Sequence, residues 1–400
     1  MKIHTILILA GGDGGRFAPL EHKMQFKFNG KTVLQHIVAS VSDFAEQIIV
    51  VVNKANELLI KSDLSACKVN YVTQLTDEGG MADAVLAAEH ILGKDILVLN
   101  ANDVFDFSLI PSLVEQTKKE ASPVGFVAKK VDTYFPGGYV IFKDEKAVGL
   151  VEKPLPENVP SSFVRLVADY FPEPQLFIQE LKKLPPSDDQ NEKAMTILMK
   201  QKPATCFKYE GDWATLKFPW HVLSMQEYFF SHDLKNSIHE TVQLHKTSSI
   251  EGTVFMGKNT KIGAYCKIVG PCYIGENVIV GDHSLLRSSV VEDDTLIGSG
   301  CEVARSYLSN GVMLHRNYVG DSVLSESVTM GAGAVTANYR FDGKAVQTPI
   351  KGVMINTGKG KLGLIAGKSV KIGVNSSTYP GVKLNPGVMV LPGEVVRKDR

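Results

Sequence analysis

Residues 256–286 read MGKNTKIGAYCKIVGPCYIGENVIVGDHSLL, and the spacing of their apolar side chains decides the fold of the C-terminal third. Met256, Ile262, Ile268, Ile274, Val280 and Leu286 recur every six residues, and Gly257, Gly263, Gly275 and Gly281 follow four of them. So short a period marks a parallel β-helix, whose coils have three sides of about six residues each. The apolar residue points inward and stacks on its equivalents, and glycine turns the corner. The rhythm returns at Val312, Tyr318, Leu324 and Met330, and again in Gly381, Gly387 and Gly393. It breaks at about 337–364, where a lysine- and glycine-rich stretch is expected to protrude as an arm.

The front of the chain has another organisation. Residues 3–10 form a continuous apolar run, and similar runs recur at 47–52, 69–73 and 95–99, with helical patterns at 33–41, 81–91 and 109–120 between them. Such alternation predicts a doubly wound α/β sheet with parallel strands. An antiparallel pair is expected at 138–143 and 147–152, and helices at 177–184, 192–200 and 219–231. The boundaries that follow are an α/β domain over 1–231, a polar linker over 232–247 and a β-helix over 248–400.

Composition limits the function. Four hundred residues exceed one ordinary core. Lys+Arg and Asp+Glu both total 43, so no net field draws nucleic acid or an anionic membrane. No apolar run reaches the ~18 residues of a membrane span. The first ten residues read as a buried strand rather than a signal peptide. Five scattered cysteines without metal-ligand spacing point to a reduced, cytoplasmic setting.

Chemistry enters at the first turn, Leu9-Ala10-Gly11-Gly12-Asp13-Gly14-Gly15-Arg16-Phe17-Ala18-Pro19-Leu20. Glycines let backbone N–H groups approach phosphate oxygens, and Arg16 adds a planar donor fork. A tight strand-to-helix turn would need no such arginine, nor the lysines Lys23 and Lys27 beyond it. The stretch, with Lys23 and Gly30-Lys31-Thr32-Val33-Leu34, resembles the opening of the sugar-1-phosphate nucleotidylyltransferases. Further matches follow in family order: Gln74 with Gly79-Gly80-Met81-Ala82-Asp83-Ala84-Val85, the strand end Leu97–Asp103, Gly137-Gly138-Tyr139 and Val151-Glu152-Lys153-Pro154.

The resemblance implies a Rossmann-like fold and a reaction in which a sugar-1-phosphate oxygen attacks the α-phosphorus of UTP or dTTP and pyrophosphate leaves. It implies that Gly11, Gly12, Gly14 and Arg16 hold the departing phosphates and that Lys23 stabilises the α-phosphate. Gln74 and Gly80 would border the base, Gly138, Glu152 and Lys153 the sugar, and Asp103 would bind Mg²⁺. Other readings are that Asp103 caps the next helix, that Gln74 is a solvated strand end, and that Glu152–Lys153 is a surface ion pair. Thr215 stands where the family carries a second metal-binding aspartate. Asp212 substitutes for it, Lys217 offsets phosphate charge in its place, or turnover is weakened; the last motivates a reading as a sugar-nucleotide sensor.

His315-Arg316-Asn317-Tyr318-Val319-Gly320-Asp321, then Met330–Asn338, is similar to the acetyltransferase domain of bifunctional GlmU-type enzymes, most of all the archaeal type, with a left-handed β-helix. The resemblance implies acetyl transfer from acetyl-CoA to an amino-sugar-1-phosphate, with His315 as general base and Asn338 orienting the amine or the oxyanion. Arg305, Tyr318 and Lys344 would hold the sugar phosphate, and Ala332 would border the acetyl-CoA channel. A homotrimer is expected through the β-helix. His315 could equally be a surface histidine at a corner, and Lys344, Lys351, Lys359 and Lys361 a solvated basic loop. A nucleotidylyltransferase whose β-helix only trimerises or regulates is the remaining enzyme reading.

Overall fold

The computed structural model describes residues 2–12, 14–74, 76 and 80–400. Two compact units divide the chain: residues 1–13 with 33–213, and residues 14–32 with 214–400. The second unit therefore takes in a segment of the glycine-rich opening, Gly14–Thr32.

In the first unit a parallel sheet forms as the apolar runs predict. Ile3–Leu9 lies between Ala45–Val52 and Ile96–Asn100, and Asn70–Thr73 extends the sheet beyond Ala45–Val52. Leu7 stands opposite both Ile49 and Val98, and all three are buried. The chain leaves Ile3–Leu9 in one direction across the sheet and returns to its other side at Ile96–Asn100. The carboxyl ends of these two strands thus flank the reversal in strand order, the usual ligand crevice of such sheets. Helix Val33–Val41 runs over the residues expected, burying Val33, Leu34, Ile37, Val38 and Val41.

Three strands lie outside the sequence expectation: Gly125–Lys130, Phe163–Phe171 and Thr205–Tyr209. Phe163–Phe171 runs antiparallel to Ile96–Asn100 and to Gly125–Lys130, with a register shift between Leu166 and Asp169. The pair Gly138–Lys143 and Lys146–Glu152 forms as expected. No helix of the described residues is long and apolar enough to cross a membrane.

The second unit is a three-sided parallel β-helix built from three sheets of eight strands. Met256, Ile262, Ile268, Ile274, Val280 and Leu286 are all buried and line its core. Two expectations need correction. Ser237–Ile238 and Gln243–Leu244 pair with Phe255–Met256 and Lys261–Ile262, so the stretch expected as a linker contains strands of the first coil. Ile238, Leu244 and Ile250 carry the six-residue step back from Met256, but His239, His245 and Glu251 follow them where later coils have glycine. The six-residue step also fails at Tyr318. The inward column runs Ile268, Leu286, Val303, Val319, with steps of 18, 17 and 16 residues, so Val319 is buried and Tyr318 stands beside it, half-buried.

The arm contains a hairpin, Gln347–Ile350 with Val353–Asn356. Its base is fixed to the last coils. Lys383 Nζ donates to Thr348 Oγ1 (2.7 Å) and to the Pro349 carbonyl (2.5 Å), and Thr348 Oγ1 donates to the Gly381 carbonyl (3.0 Å).

Tyr307, fully buried, holds residues 26–28 against the coils. Its ring packs on Phe26 and Phe28 at centroid distances of 5.4 and 5.6 Å. Its hydroxyl accepts from the Lys27 N–H (3.1 Å), and the Lys27 carbonyl (2.8 Å) and the Glu292 carboxylate share it as acceptors. Burial, only partly offset by the Tyr307 hydroxyl and Lys27, pushes the Glu292 carboxyl up to about 7.

Tyr307→Phe should destabilise the protein by about 1–3 kcal/mol, the cost of leaving buried partners without their hydrogen bond. Chemical denaturation checks this. Because the folded pKa of Glu292 is raised from 4.5 to about 7, its contribution is fully present below the unfolded value and is lost as pH rises towards 7. Glu292→Gln should remove that decline, read as a flatter melting temperature between pH 4.5 and 7.

Candidate active sites

The front site begins at the ends of the parallel strands. Gly11 is buried, and a Cβ there would lie 2.0 Å from Gln74 Oε1. A side chain there would have to displace the Gln74 carboxamide, which crosses the turn at that point. Asn53 Nδ2 donates to the Gly11 carbonyl and Asn56 Nδ2 to the Ala10 carbonyl, both at 2.8 Å. These two asparagines, three residues apart after the second strand, fix the turn from below and were not singled out from sequence. Gln74 is buried, not a solvated strand end, and its amide donates to the Thr76 carbonyl (2.6 Å). Gly80 opens the helix Gly80–Ala87 at φ 59°, a conformation that favours glycine. Asp13, Leu75 and Asp77–Gly79, which belong to the two motifs, lie outside the described residues.

Asp103 is buried, and each of its oxygens accepts a hydrogen bond: Oδ2 from Asn100 Nδ2 (2.8 Å) and Oδ1 from the Trp213 indole (3.1 Å). The cap of the following short helical turn is Asp106, whose Oδ1 accepts from the Ser108 N–H, so Asp103 is not a helix cap. Among the described residues no group of three His, Cys, Asp or Glu side chains is placed to hold a metal ion. Mg²⁺ commonly takes one or two carboxylates plus substrate phosphates and water, and a carboxylate has about four lone-pair positions. Asp103 with a bound triphosphate fits that requirement.

Gly138, Glu152 and Lys153 meet. A Cβ on Gly138 would lie 3.3 Å from Glu152 Oε2. Lys153 bridges Glu152 Oε1 (3.1 Å) and Asp188 (2.5 Å), and the Glu152 side chain is only 12% exposed, so this is no surface pair. Burial lowers the Lys153 pKa, and the two carboxylates outweigh it and hold the ammonium charged.

Arg16 and Lys23 belong to the other compact unit. Arg16 is exposed, just beyond Gly14 at φ 70°, whose carbonyl accepts from the Phe17 N–H (2.7 Å). Lys23 is half-buried and opens a short helical turn, Lys23–Gln25. Thr215 is half-buried in the strand Ala214–Thr215.

The rear site is assembled by stacking. Ser288, Arg305 and Asp321 occupy one corner on successive coils, all at positive φ. Arg305 pairs with Asp321 through Nε (2.6 Å) and Nη2 (2.7 Å), and this bond keeps its pKa high. Asn338 Nδ2 donates to Asp321 Oδ2 (2.5 Å) and to the Tyr318 hydroxyl (3.1 Å). Arg305, Tyr318 and Asn338 thus meet around Asp321, to which sequence gave no role.

His315 is exposed at the other end of this coil side. Its register equivalents on the inner coils are Gly263, Gly281, Gly298, Gly331 and Gly373, in a column that ends at His245 and Leu391, so glycines stand on either side of this imidazole. Asn317 accepts from the His315 N–H (2.5 Å) and donates to the carbonyls of Gly331 (2.8 Å) and Ala334 (3.0 Å). Ala332 lies in the adjoining turn, its carbonyl accepting from Asn375 N–H. Lys344 is exposed on the arm, its N–H donating to Asp342 Oδ1 (3.2 Å).

The Nucleotidyl transferase family profile matches residues 5–215. The chain belongs to the nucleotidyl transferase family. A second profile, the GMPPB C-terminal domain, matches residues 234–356 of this nucleotidyl transferase. The bifunctional protein GlmU of Methanococcus maripaludis is 30% identical over 96% of this chain and 92% of its own. A bifunctional sugar-1-phosphate nucleotidylyltransferase/acetyltransferase of Sulfurisphaera tokodaii is 28% identical over 98% of this chain and 97% of its own. A solved Bacillus anthracis chain assigned as a glucose-1-phosphate thymidylyltransferase shares the fold at TM-score 0.51 and 18% identity, over 59% of this chain and 98% of that one.

Gly11→Ala should destabilise this nucleotidyl transferase by about 1–3 kcal/mol through overpacking against Gln74. Adding Gln74→Ala should recover most of that loss, because it removes the atom struck. Urea unfolding of the two single variants and the double variant measures the coupling.

Proposed function

We propose that the protein is a bifunctional enzyme: its front half couples a sugar-1-phosphate to UTP or dTTP with release of pyrophosphate, and its β-helix acetylates an amino-sugar-1-phosphate with acetyl-CoA. What most supports this is that Arg305, Tyr318, Asn338 and Asp321 converge on one coil side, with His315 at its other end. The full-length likeness to bifunctional relatives supports it from the other direction.

In the nucleotidyl half no covalent intermediate is required. Positioning and charge neutralisation carry the reaction. Gly12, Gly14 and Arg16 bind the departing phosphates, and Lys23 offsets charge on the α-phosphate. Gln74, whose amide nitrogen is engaged by Thr76, offers its carbonyl oxygen as an acceptor towards a base, with Gly80 beside it. Gly138 leaves room for the sugar, and Glu152 accepts from its hydroxyls. Mg²⁺ held by Asp103 would neutralise phosphate charge.

In the acetyl half His315 takes the proton of the attacking amine. Glycines above and below leave both faces of its ring approachable. Asn338, whose two N–H groups are taken by Tyr318 and Asp321, offers its carbonyl oxygen to the attacking amine. Arg305 and Lys344 hold the sugar phosphate, and the turn at Ala332 borders acetyl-CoA. Exposed Ile279, Met313 and Val335 on the coils suit a homotrimer, and the cytoplasm suits the substrates.

A second reading, a sugar-nucleotide binder with weakened turnover, rests on Thr215, since a hydroxyl is a poorer Mg²⁺ ligand than a carboxylate. Pyrophosphate release with Mg²⁺ and a panel of sugar-1-phosphates separates the two. Nucleotide binding without release would favour the second.

His315→Ala should lower acetyl transfer to glucosamine-1-phosphate by about 10²–10⁴-fold, the usual worth of a general base, and leave pyrophosphate release within twofold. Asp103→Asn should do the reverse. Equal acetylation rates in wild type and His315→Ala would remove the proposed base.

A further inference from the structure

Phe163–Phe171 carries two charges into the core of the first unit. Arg165, Asp169 and the helix residue Glu192 are each at most 6% exposed. Arg165 Nη1 donates to Asp169 Oδ2 (2.7 Å) and to Met195 Sδ (3.0 Å), and Nη2 donates to Glu192. Three buried atoms of this cluster, Arg165 Nε, Asp169 Oδ1 and Glu192 Oε2, make no hydrogen bond among the described residues. Burial raises both acids, Asp169 to about 7; Arg165 opposes this, while Glu192 reinforces it in Asp169 and Glu152 reinforces it in Glu192.

A buried ionic cluster contributes little net stability and is costly when incomplete. Its place in the fold suggests what it does. The position a Gly138 Cβ would take lies 3.8 Å from Arg165 Nε, 3.8 Å from Glu192 Cγ and 3.3 Å from Glu152 Oε2. Arg165, Glu192 and Glu152 therefore surround the space that a side chain at position 138 would fill. The same helix start carries Asp188, which anchors Lys153, and Lys153 in turn pairs with Glu152. Glu152 is thus bordered by two cations, each secured by a carboxylate from 188–192.

We propose that Arg165 is a positioning residue of the sugar subsite: held by Asp169 and Glu192, it fixes the Glu152 carboxylate beside Gly138, where it meets the sugar hydroxyls. It acts through Glu152 and has no contact with the nucleotide. The inference rests on Gly138 and Glu152 being the sugar subsite.

Calorimetry on the full-length protein tests it, with UDP-N-acetylglucosamine against UMP as probes and dTDP-glucose against dTMP as the second pair. The readout is the margin by which the sugar nucleotide outbinds the bare nucleotide. Arg165→Lys and Arg165→Met should cut that margin about tenfold, the scale of one charge-assisted hydrogen bond, and leave nucleotide affinity within twofold. Should Arg165→Met fail to fold, Glu192→Gln, which weakens the hold on Arg165 Nη2 without touching Gly138 or Glu152, should give the same selective loss. If Glu152→Gln loses the margin and the Arg165 variants keep it, the positioning role falls and the sugar subsite stands. If Glu152→Gln keeps the margin too, both fall. Equal loss of sugar nucleotide and nucleotide affinity in the Arg165 variants would assign the cluster a structural role and overturn the proposal.

Discussion

Parallel stacking ties every coil of the β-helix to the one below it. Equivalent residues sit one strand spacing apart, about 4.8 Å, so whatever occupies a corner meets the same corner above and below. The coil's inward columns are mostly apolar, with buried Thr336 and Thr378 continuing the column of Val319, and several of its corners stand at positive φ. Within those limits the chain can still alter coil length. It does so between Leu286 and Val319, where steps shorten from 18 to 17 to 16 residues. The inward position passes to Val319, and Tyr318 is released to the flank, where its hydroxyl meets Asn338. Site geometry in this half follows from a change of register.

The same coils hold a piece of the glycine-rich opening. Tyr307 satisfies both backbone groups of Lys27 with one hydroxyl and fills the space between Phe26 and Phe28 with its ring. Phe28 also stacks on Phe229 at 5.3 Å, and Asn29 Nδ2 donates to the Phe229 carbonyl (3.1 Å). The placement of Lys23, four residues before Lys27, therefore depends on the β-helix. Removal of the coils would leave these aromatic faces exposed to water, so the nucleotidyl half is not expected to keep Gly14–Thr32 in this form without them.

Much of this was legible beforehand, because the informative residues obey simple periods. The helix Val33–Val41 and the parallel strands follow from unbroken apolar runs. The β-helix follows from its hexads. Phe163–Phe171 was not legible, because Arg165 and Asp169 interrupt an otherwise apolar strand and their partner Glu192 lies 23 residues beyond Asp169 in the chain. The strands at 237–238 and 243–244 were hidden because Ile238 and Leu244, although in step with Met256, lack the glycines that mark the later hexads. At the sites, sequence picked out side chains with chemistry of their own, such as Gln74, Asp103 and His315. It passed over those that act by holding others: Asn53, Asn56, Asn317 and Asp321. A supporting residue has no signature apart from its neighbours, and those are set by the fold.

Trp213 joins the two difficulties of the front half. Its indole donates to Asp103, and its ring packs edge-on against Phe135 at 4.9 Å. Phe135 N–H in turn donates to the hydroxyl of Tyr139, the neighbour of Gly138. One aromatic side chain therefore touches the carboxylate suited to the metal and leads, through Phe135, to the segment suited to the sugar. An indole N–H can only donate, so its bond occupies one lone pair of Asp103 Oδ1 and limits the directions from which a cation can approach the carboxylate. The metal role proposed for Asp103 makes its orientation matter more in a chain that carries Thr215 where a second carboxylate is expected, and Trp213 and Asn100 fix that orientation.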